Sequence, residues 1–352
     1  MTARRVISVF AATLLMSGGL AATALADDPG GTTAVTTVAS ALNSPRGLEF
    51  GPDGGLYVAT VGDGVDDGAV VRLDLRRGTT TTVVDGLPTF IDAVGDRVGA
   101  HDVTFQGRGN MYVPMGLGHD PAVRPADTSL ATLLRVTPGG AHRMLADLGD
   151  HEAEENPDGG LPDSNPHSAA AVPGGVVVAD AGANSLVHVA NGRGDVSTLA
   201  VFPDREVISD TGPVTVQSVP NSVTVGPDGA YYVGELTGFP FVPGESRVYR
   251  VTPDGSVEVF AEGFTSIIDL TFDADGNLYV LEIVKAGLLT AFTTGDFTGA
   301  LVKVTPEGER TELAEGQLFA PGGVAAGDDG ALYVTTSTFF GDELGTVVRI
   351  VE

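Results

Sequence analysis

The 352-residue sequence has no cysteine and no tryptophan, and only 19 basic residues against 46 acidic ones. Without cysteine there can be no disulfide scaffold, iron–sulfur cluster, thiolate zinc site, blue-copper site or cysteine nucleophile. The net charge of −27 argues against a surface that neutralises phosphates or anionic lipid, so neither nucleic acid nor a membrane is an expected partner. No apolar run reaches the roughly 20 residues of a spanning helix. What is abundant is glycine, at 49 residues, together with 21 prolines and 42% hydrophobic residues. That is the composition of a globular chain with many tight turns, expected to be monomeric.

The N-terminus has the three parts of a cleavable secretory signal. Arg4 and Arg5 form a basic start, Val6 to Met16 an apolar core, and Ala24-Leu25-Ala26 a small-residue site before Asp27. Cleavage there would remove two of the 19 basic residues and no acid. The expected product is secreted or extracytoplasmic, a single domain over 27–352 held by its core alone.

One pattern recurs six times: a Gly/Asp turn, then an apolar triplet with an aromatic or β-branched centre. It reads GPDGGLYVAT at 51–60, GRGNMYVPM at 107–115, PGGVVVAD at 173–180, GPDGAYYVGE at 226–235, DADGNLYVLE at 273–282 and GDDGALYVTT at 327–336. The central residues Tyr57, Tyr112, Val177, Tyr232, Tyr279 and Tyr333 are spaced by 55, 65, 55, 47 and 54. Each copy adds an alternating run before the turn and two after it, bounded by Gly, Pro and Asp, which predicts four short strands. Six such units are the signature of an all-β, six-bladed propeller with four-stranded antiparallel blades. The last copy stops at its third strand, Val347 to Ile350, while residues 33–39 form an orphan fourth strand. The N-terminal strand is therefore expected to complete the last blade and close the ring.

In such a ring the starts of the innermost strands and the ends of the second strands share one face. The starts gather Arg46, His101-Asp102, His167-Ser168, Asn221-Ser222 and Asp269; the second-strand ends add Met115, Asp180, Glu235 and Glu282. Oxygen ligands with an occasional imidazole suit one divalent cation, Ca²⁺ first, with Asp180, Asn221, Glu235, Asp269 and Glu282 as candidate ligands. His101 or His167 beside Asp102 is the alternative, an acid–base pair for catalysis. Arg46, Ser168, Asn221 and Ser222 are candidate ligand-binding residues. The same residue types also cap strand edges, a purely structural use. The opposite face receives only tight turns and is expected to carry no chemistry.

Two kinds of loop lie on the site face. Residues 147–163 hold seven acids and no lysine or arginine, and 62–68 add three aspartates. Over the last three blades the loops are rich in phenylalanine, with Phe239, Phe241, Phe292, Phe297, Phe339 and Phe340. If displayed, Phe239, Phe241 and Phe340 would wall a pocket for a small, partly apolar molecule or meet a protein partner; packed under their loops, they would do neither.

The stretches SNPHSAAAVPGGVVVADAGANSLVHV at 164–189 and YYVGELTGFPFVPGESRVYRV at 231–251 resemble the ScyD/ScyE family of exported six-bladed propellers. The resemblance implies the fold and an extracytoplasmic location, with some members tied to oxidative steps of pigment assembly. His101, Met115 and His167 have residue types that would suit a copper-type site in that reading. A more distant similarity to gluconolactonase-type propellers implies one divalent cation held by Glu, Asn and Asp, roles that Asn221, Asp269 and Glu235 or Glu282 could fill. Three functions stay open: a small-ligand binder, a metal-dependent hydrolase or oxidative enzyme, and a non-catalytic interaction platform.

Overall fold

The computed structural model describes residues 33–91, 97–107, 109–338 and 344–352. The signal segment 1–26 and both Phe339 and Phe340 lie outside the described residues. The six expected sheets are present, each of four antiparallel strands. Blade one comprises Pro45–Phe50, Leu56–Thr60, Gly68–Asp74 and Thr79–Leu87, innermost first. The inner strands of blades two to six are Thr104–Gln106, Pro166–Val172, Pro220–Val225, Ile267–Phe272 and Gly323–Ala326. The sixth blade takes its outermost strand, Ala34–Leu42, from the start of the chain, paired with Gly345–Val351 in the register Ala34 to Val351.

The two-residue period sets where each side chain goes. In blade three, Val176 and Val178 pack with Tyr112 and Leu133 of blade two, while Val177 and Ala179 pack with Val223 and Val233 of blade four. Blade five repeats this, with Leu278 and Val280 facing blade four and Tyr279 and Leu281 facing blade six. Each second strand is thus apolar on both sides because it is a layer between two neighbours, as in a sheet covered on both faces. The core is a ring of six apolar layers between blades. Burial falls away outwards, so that the outermost strand Val257–Phe264 is largely exposed.

The repeated turn has a mechanical reason for its residues. Asp228 accepts from the backbone N–H of Ala230 and from the Tyr232 hydroxyl, and pairs with Arg250 at 2.7 Å. Asp53 with Arg72 and Asp329 with Arg349 repeat that pairing. In blades one, four and six the glycine that opens the turn lies under the tyrosine ring: a Cβ on Gly226 would stand 2.2 Å from Tyr232, one on Gly51 2.4 Å from Tyr57 and one on Gly327 2.9 Å from Tyr333.

Among the described residues two short α-helices and a one-turn 3-10 helix, Pro121–Val123, depart from the all-strand expectation, all in loops. Leu148–Glu155 starts at Asp147, whose carboxylate accepts from the Asp150 N–H, and ends at Asn156 in the left-handed region. Leu288–Thr294 lies between Gly287 and Gly295 and buries Leu288 and Ala291. None is long enough to show a period in sequence, and no described helix could cross a membrane.

Gly226→Ala should destabilise the protein by about 1–3 kcal/mol, because the ring above it must move. Its backbone is not in the left-handed region, so the cost is steric. Chemical denaturation checks this; an unchanged midpoint would show that the tyrosine has room to give.

Candidate functional site

At the start of the inner strands the axis is closed by packed rings. His101 and His167 stack with centroids 4.6 Å apart, and both are buried, as is Arg46. The Nδ1 of His101 lies 3.2 Å from the Pro166 carbonyl, and that of His167 lies 2.7 Å from the Asn221 carbonyl. A carbonyl only accepts, so each Nδ1 carries a proton and donates it. Burial holds both histidines below their ordinary value of 6.5, His167 at about 4, with the Arg46 charge adding to the effect. Asp102 does not pair with either ring. It accepts instead from the N–H of Val103 at 2.7 Å and from the Ser168 hydroxyl and Ala169 N–H at 3.0 Å. The expected imidazole–carboxylate pair is therefore corrected: the histidines are tied to backbone and the carboxylate to the next blade.

Further along the inner strands the axis widens into a cavity of about 300 Å³. Three carboxyls line it: Glu49, Asp102 and Asp269. Asp269 accepts from the N–H groups of Leu270 and Val324, both at 2.8 Å. Glu49 bonds the Thr104 side chain and the Phe105 backbone. Burial raises all three, Glu49 to about 8 and Asp102 to about 6, and mutual repulsion adds to this at Glu49 and Asp269. What exposure these groups keep is to the cavity. At neutral pH Glu49 keeps its proton and can donate a hydrogen bond, while Asp102 is largely ionised and accepts. Leu48, Phe50, Phe105, Val223 and three alanines of blade three supply the apolar part of the wall. The cavity reaches the ends of the inner strands, on the tight-turn face, which was expected to receive only turns.

The five residues expected to share a cation are not brought together. Asp180 accepts from the Ser164 hydroxyl and from the N–H groups of Asn165, Gly182 and Ala183. Glu235 is held by Arg205 at 2.6 Å, Ser218 at 2.8 Å and the Tyr249 hydroxyl at 3.0 Å. Glu282, raised to about 7 by burial, accepts from the Thr265 N–H. Each of these three fastens a loop at the end of its own second strand, Asp269 stands on the axis, and Asn221 receives His167 on its backbone carbonyl. Among the described residues no group of three acids or imidazoles has the geometry of a metal site. Ser222 is buried with its hydroxyl against Gly234 and does not line the cavity. Ser168 does line it, while donating to Asp102 and accepting from the Val223 N–H. Phe239 is 46% exposed and meets Phe241 edge-on, but neither ring lines the axial cavity.

Sequence reasoning missed Glu49 and Thr104. A signal existed: the residues opposite the repeated central residue are Glu49, Thr104, Ala170, Thr224, Thr271 and Ala325, and all six line the cavity. The ring two residues earlier had drawn attention because it holds the histidine neighbours.

No family model matches the chain, and no curated protein matches it. Solved structures do. A calcium-binding regucalcin from Agrobacterium tumefaciens aligns at 17% identity and a TM-score of 0.54, over 88% of this chain and 90% of that one. A gluconolactonase from Xanthomonas campestris aligns at 10% and 0.53, over 91% and 90%. A putative glucose dehydrogenase from Thermus thermophilus aligns at 16% and 0.57, over 91% and all of that chain. At these identities the likeness shows the six-bladed propeller fold.

Two opposed pH dependences are expected. The buried acids with raised values, Glu49 foremost, lose stability as pH rises from the ordinary 4.5 to about 8, because the unfolded chain has already ionised them. His101 and His167 lose it as pH falls below 6.5, for His167 down to about 4, because the unfolded chain takes up protons that they refuse. Thermal melts over pH should show the alkaline slope reduced in Glu49→Gln and the acid slope reduced in His167→Gln. Curves parallel to wild type in both variants would refute these assignments.

Proposed function

We propose that this chain is a small-molecule-binding propeller whose ligand enters the axial cavity from the tight-turn face. The observation that carries this reading is an axial cavity, open towards the tight-turn face, with three carboxyls of raised pKa on part of its wall and apolar side chains on the rest. Perturbed acids in a cavity of this size are what a binding or proton-transfer site requires. Its ligand is small, partly apolar and bears hydroxyl or amine groups, which a protonated Glu49 and ionised Asp102 can both satisfy. Sugar-derived compounds are the first class to test, in keeping with the gluconolactonase and glucose dehydrogenase among the structures of like fold. If turnover occurs, Glu49 is the group placed to give a proton and Asp102 the group placed to take one; His101 and His167 hold the closed end of the axis. The ScyD/ScyE resemblance covers the first three strands of blade three at 164–189 and the second and third strands of blade four at 231–251; of these only the inner strand Pro166–Val172 reaches the cavity.

A second reading, a protein-interaction platform, rests on the loops of blades four to six, where Phe239, Leu289, Phe292 and Phe319 are 39–55% exposed. Phe292 and Phe319 both meet the buried Phe297 edge-on, so part of this apolar surface is continuous.

Titration of glucose and glucono-1,5-lactone into the full chain, read by thermal shift and calorimetry, separates the two. Binding of either, weakened at least tenfold by Glu49→Gln with Asp269→Asn and unaffected by Phe239→Ser with Phe292→Ser, supports the axial site. Binding that survives the carboxyl changes, or no binding of any sugar-class compound, would count against it.

A further inference from the structure

The acidic segment 147–163 is built differently at its two ends. At the helix start, Asp147 and Asp150 are both clasped by Arg124, at 2.7–2.9 Å. From Glu152 onward the segment pairs with no such cation among the described residues. Glu152 is 1% exposed, its Oε1 stands at 3.5 Å from the Asp163 N–H, and its Oε2 has no hydrogen-bond partner. Oδ1 of Asp163 likewise has none. It presses so closely over Gly182 that a Cβ there would come within 2.6 Å, and the Gly182 N–H donates to Asp180. Asp158 closes the group, fixed by the Asn184 amide at 2.9 Å and the Gly160 N–H at 2.7 Å. The charges acting on Glu152 and Asp163 are all acids, and with burial they push both up to about 7. Asp163 also forms part of the wall of a second cavity, about 250 Å³, shared with His119, Asn165 and Gln217. That cavity gives Asp163 a route to solvent.

We propose that Glu152 and Asp163 are the primary ligands of a divalent-cation site of the Ca²⁺ class on the loop face, with Asp158 and Asp180 adding charge beside it. Two buried carboxylate oxygens without donors, among four acids and no base, are costly as they stand. A hard cation with irregular oxygen coordination removes that cost, and Ca²⁺ tolerates such geometry where Mg²⁺ does not. No three acids or imidazoles among the described residues already stand at ligating distance, so the ion draws Glu152 and Asp163 together and fixes the end of the helix. The site is separate from the axial cavity and does not depend on it.

The test is a melt of the full chain at pH 7.5 in EDTA, in millimolar CaCl₂ and in MgCl₂, with a calorimetric Ca²⁺ titration. The expected result is one Ca²⁺ per chain and a melting temperature raised by several degrees in CaCl₂ and less in MgCl₂. Glu152→Gln with Asp163→Asn should abolish both while melting no lower than wild type in EDTA, since it removes the repulsion. Asp269→Asn should leave the Ca²⁺ response intact. A response that persists in the double variant, or that vanishes with Asp269→Asn, would place the ion elsewhere and overturn the assignment. No response to Ca²⁺ in wild type would do so too, and would mean that a proton shared between the two carboxyls satisfies these oxygens.

Discussion

A propeller closes its ring but leaves both edges of every blade unpaired, the outer one in solvent and the inner one facing the axis. The N–H groups there have no partner strand, and a buried N–H without an acceptor is expensive. This chain answers with side chains sent from one blade to the next. Asp102 takes the Ala169 N–H, Thr104 that of Ala171, Ser168 that of Val223 and Asp269 that of Val324. Carbonyls are served in the same manner, by His101 on Pro166, His167 on Asn221 and Thr335 on Arg46. The polar residues of the axis are thus the seams of the ring before they are anything else. Any ligand site at the axis has to be made from groups that also hold the blades together.

That double duty explains the electrostatics. A carboxylate that accepts from the next inner strand must stand beside the axis, and several of them around one narrow axis repel each other. Protonation relieves the repulsion, and the cavity gives a protonated Glu49 something to face. Glu235 and Asp180 illustrate the other solution. They sit away from the axis, where Arg205 or a set of N–H groups can satisfy them in full, and they become fasteners with no surface left over.

The architecture was legible in the sequence because it depends on repetition. The turn, the tyrosine and the two-residue alternation recur with little change, and each recurrence corrects the reading of the others. Even the closure of the ring could be read, from a strand missing at one end and a spare one at the other. The site was legible only as a list of polar residues on the inner strands. Which of them meet depends on the direction of each side chain along the seam, and no periodicity reports that. His101 and Asp102 are adjacent in sequence yet serve different partners, and Glu49 looked like an ordinary charge in an alternating strand. The short helix at 148–155 was hidden for a different reason: its residues are almost all polar, and Arg124, far off in sequence, is what anchors its start.

The sixth blade joins Ala34–Leu42 to Gly345–Val351, so its outermost pairing spans nearly the whole length of the chain. Every other blade is assembled from neighbours in sequence and can form as soon as its own segment is available. Closing so long a loop carries the largest entropic penalty in the molecule, which makes this seam the last to zip and the natural first to part. The two chain ends also leave the ring side by side, with Ala34 opposite Val351. The molecule therefore behaves as a belt with a single buckle: a tether between its termini would fasten it, and tension applied to both ends would be borne by that one pair of strands.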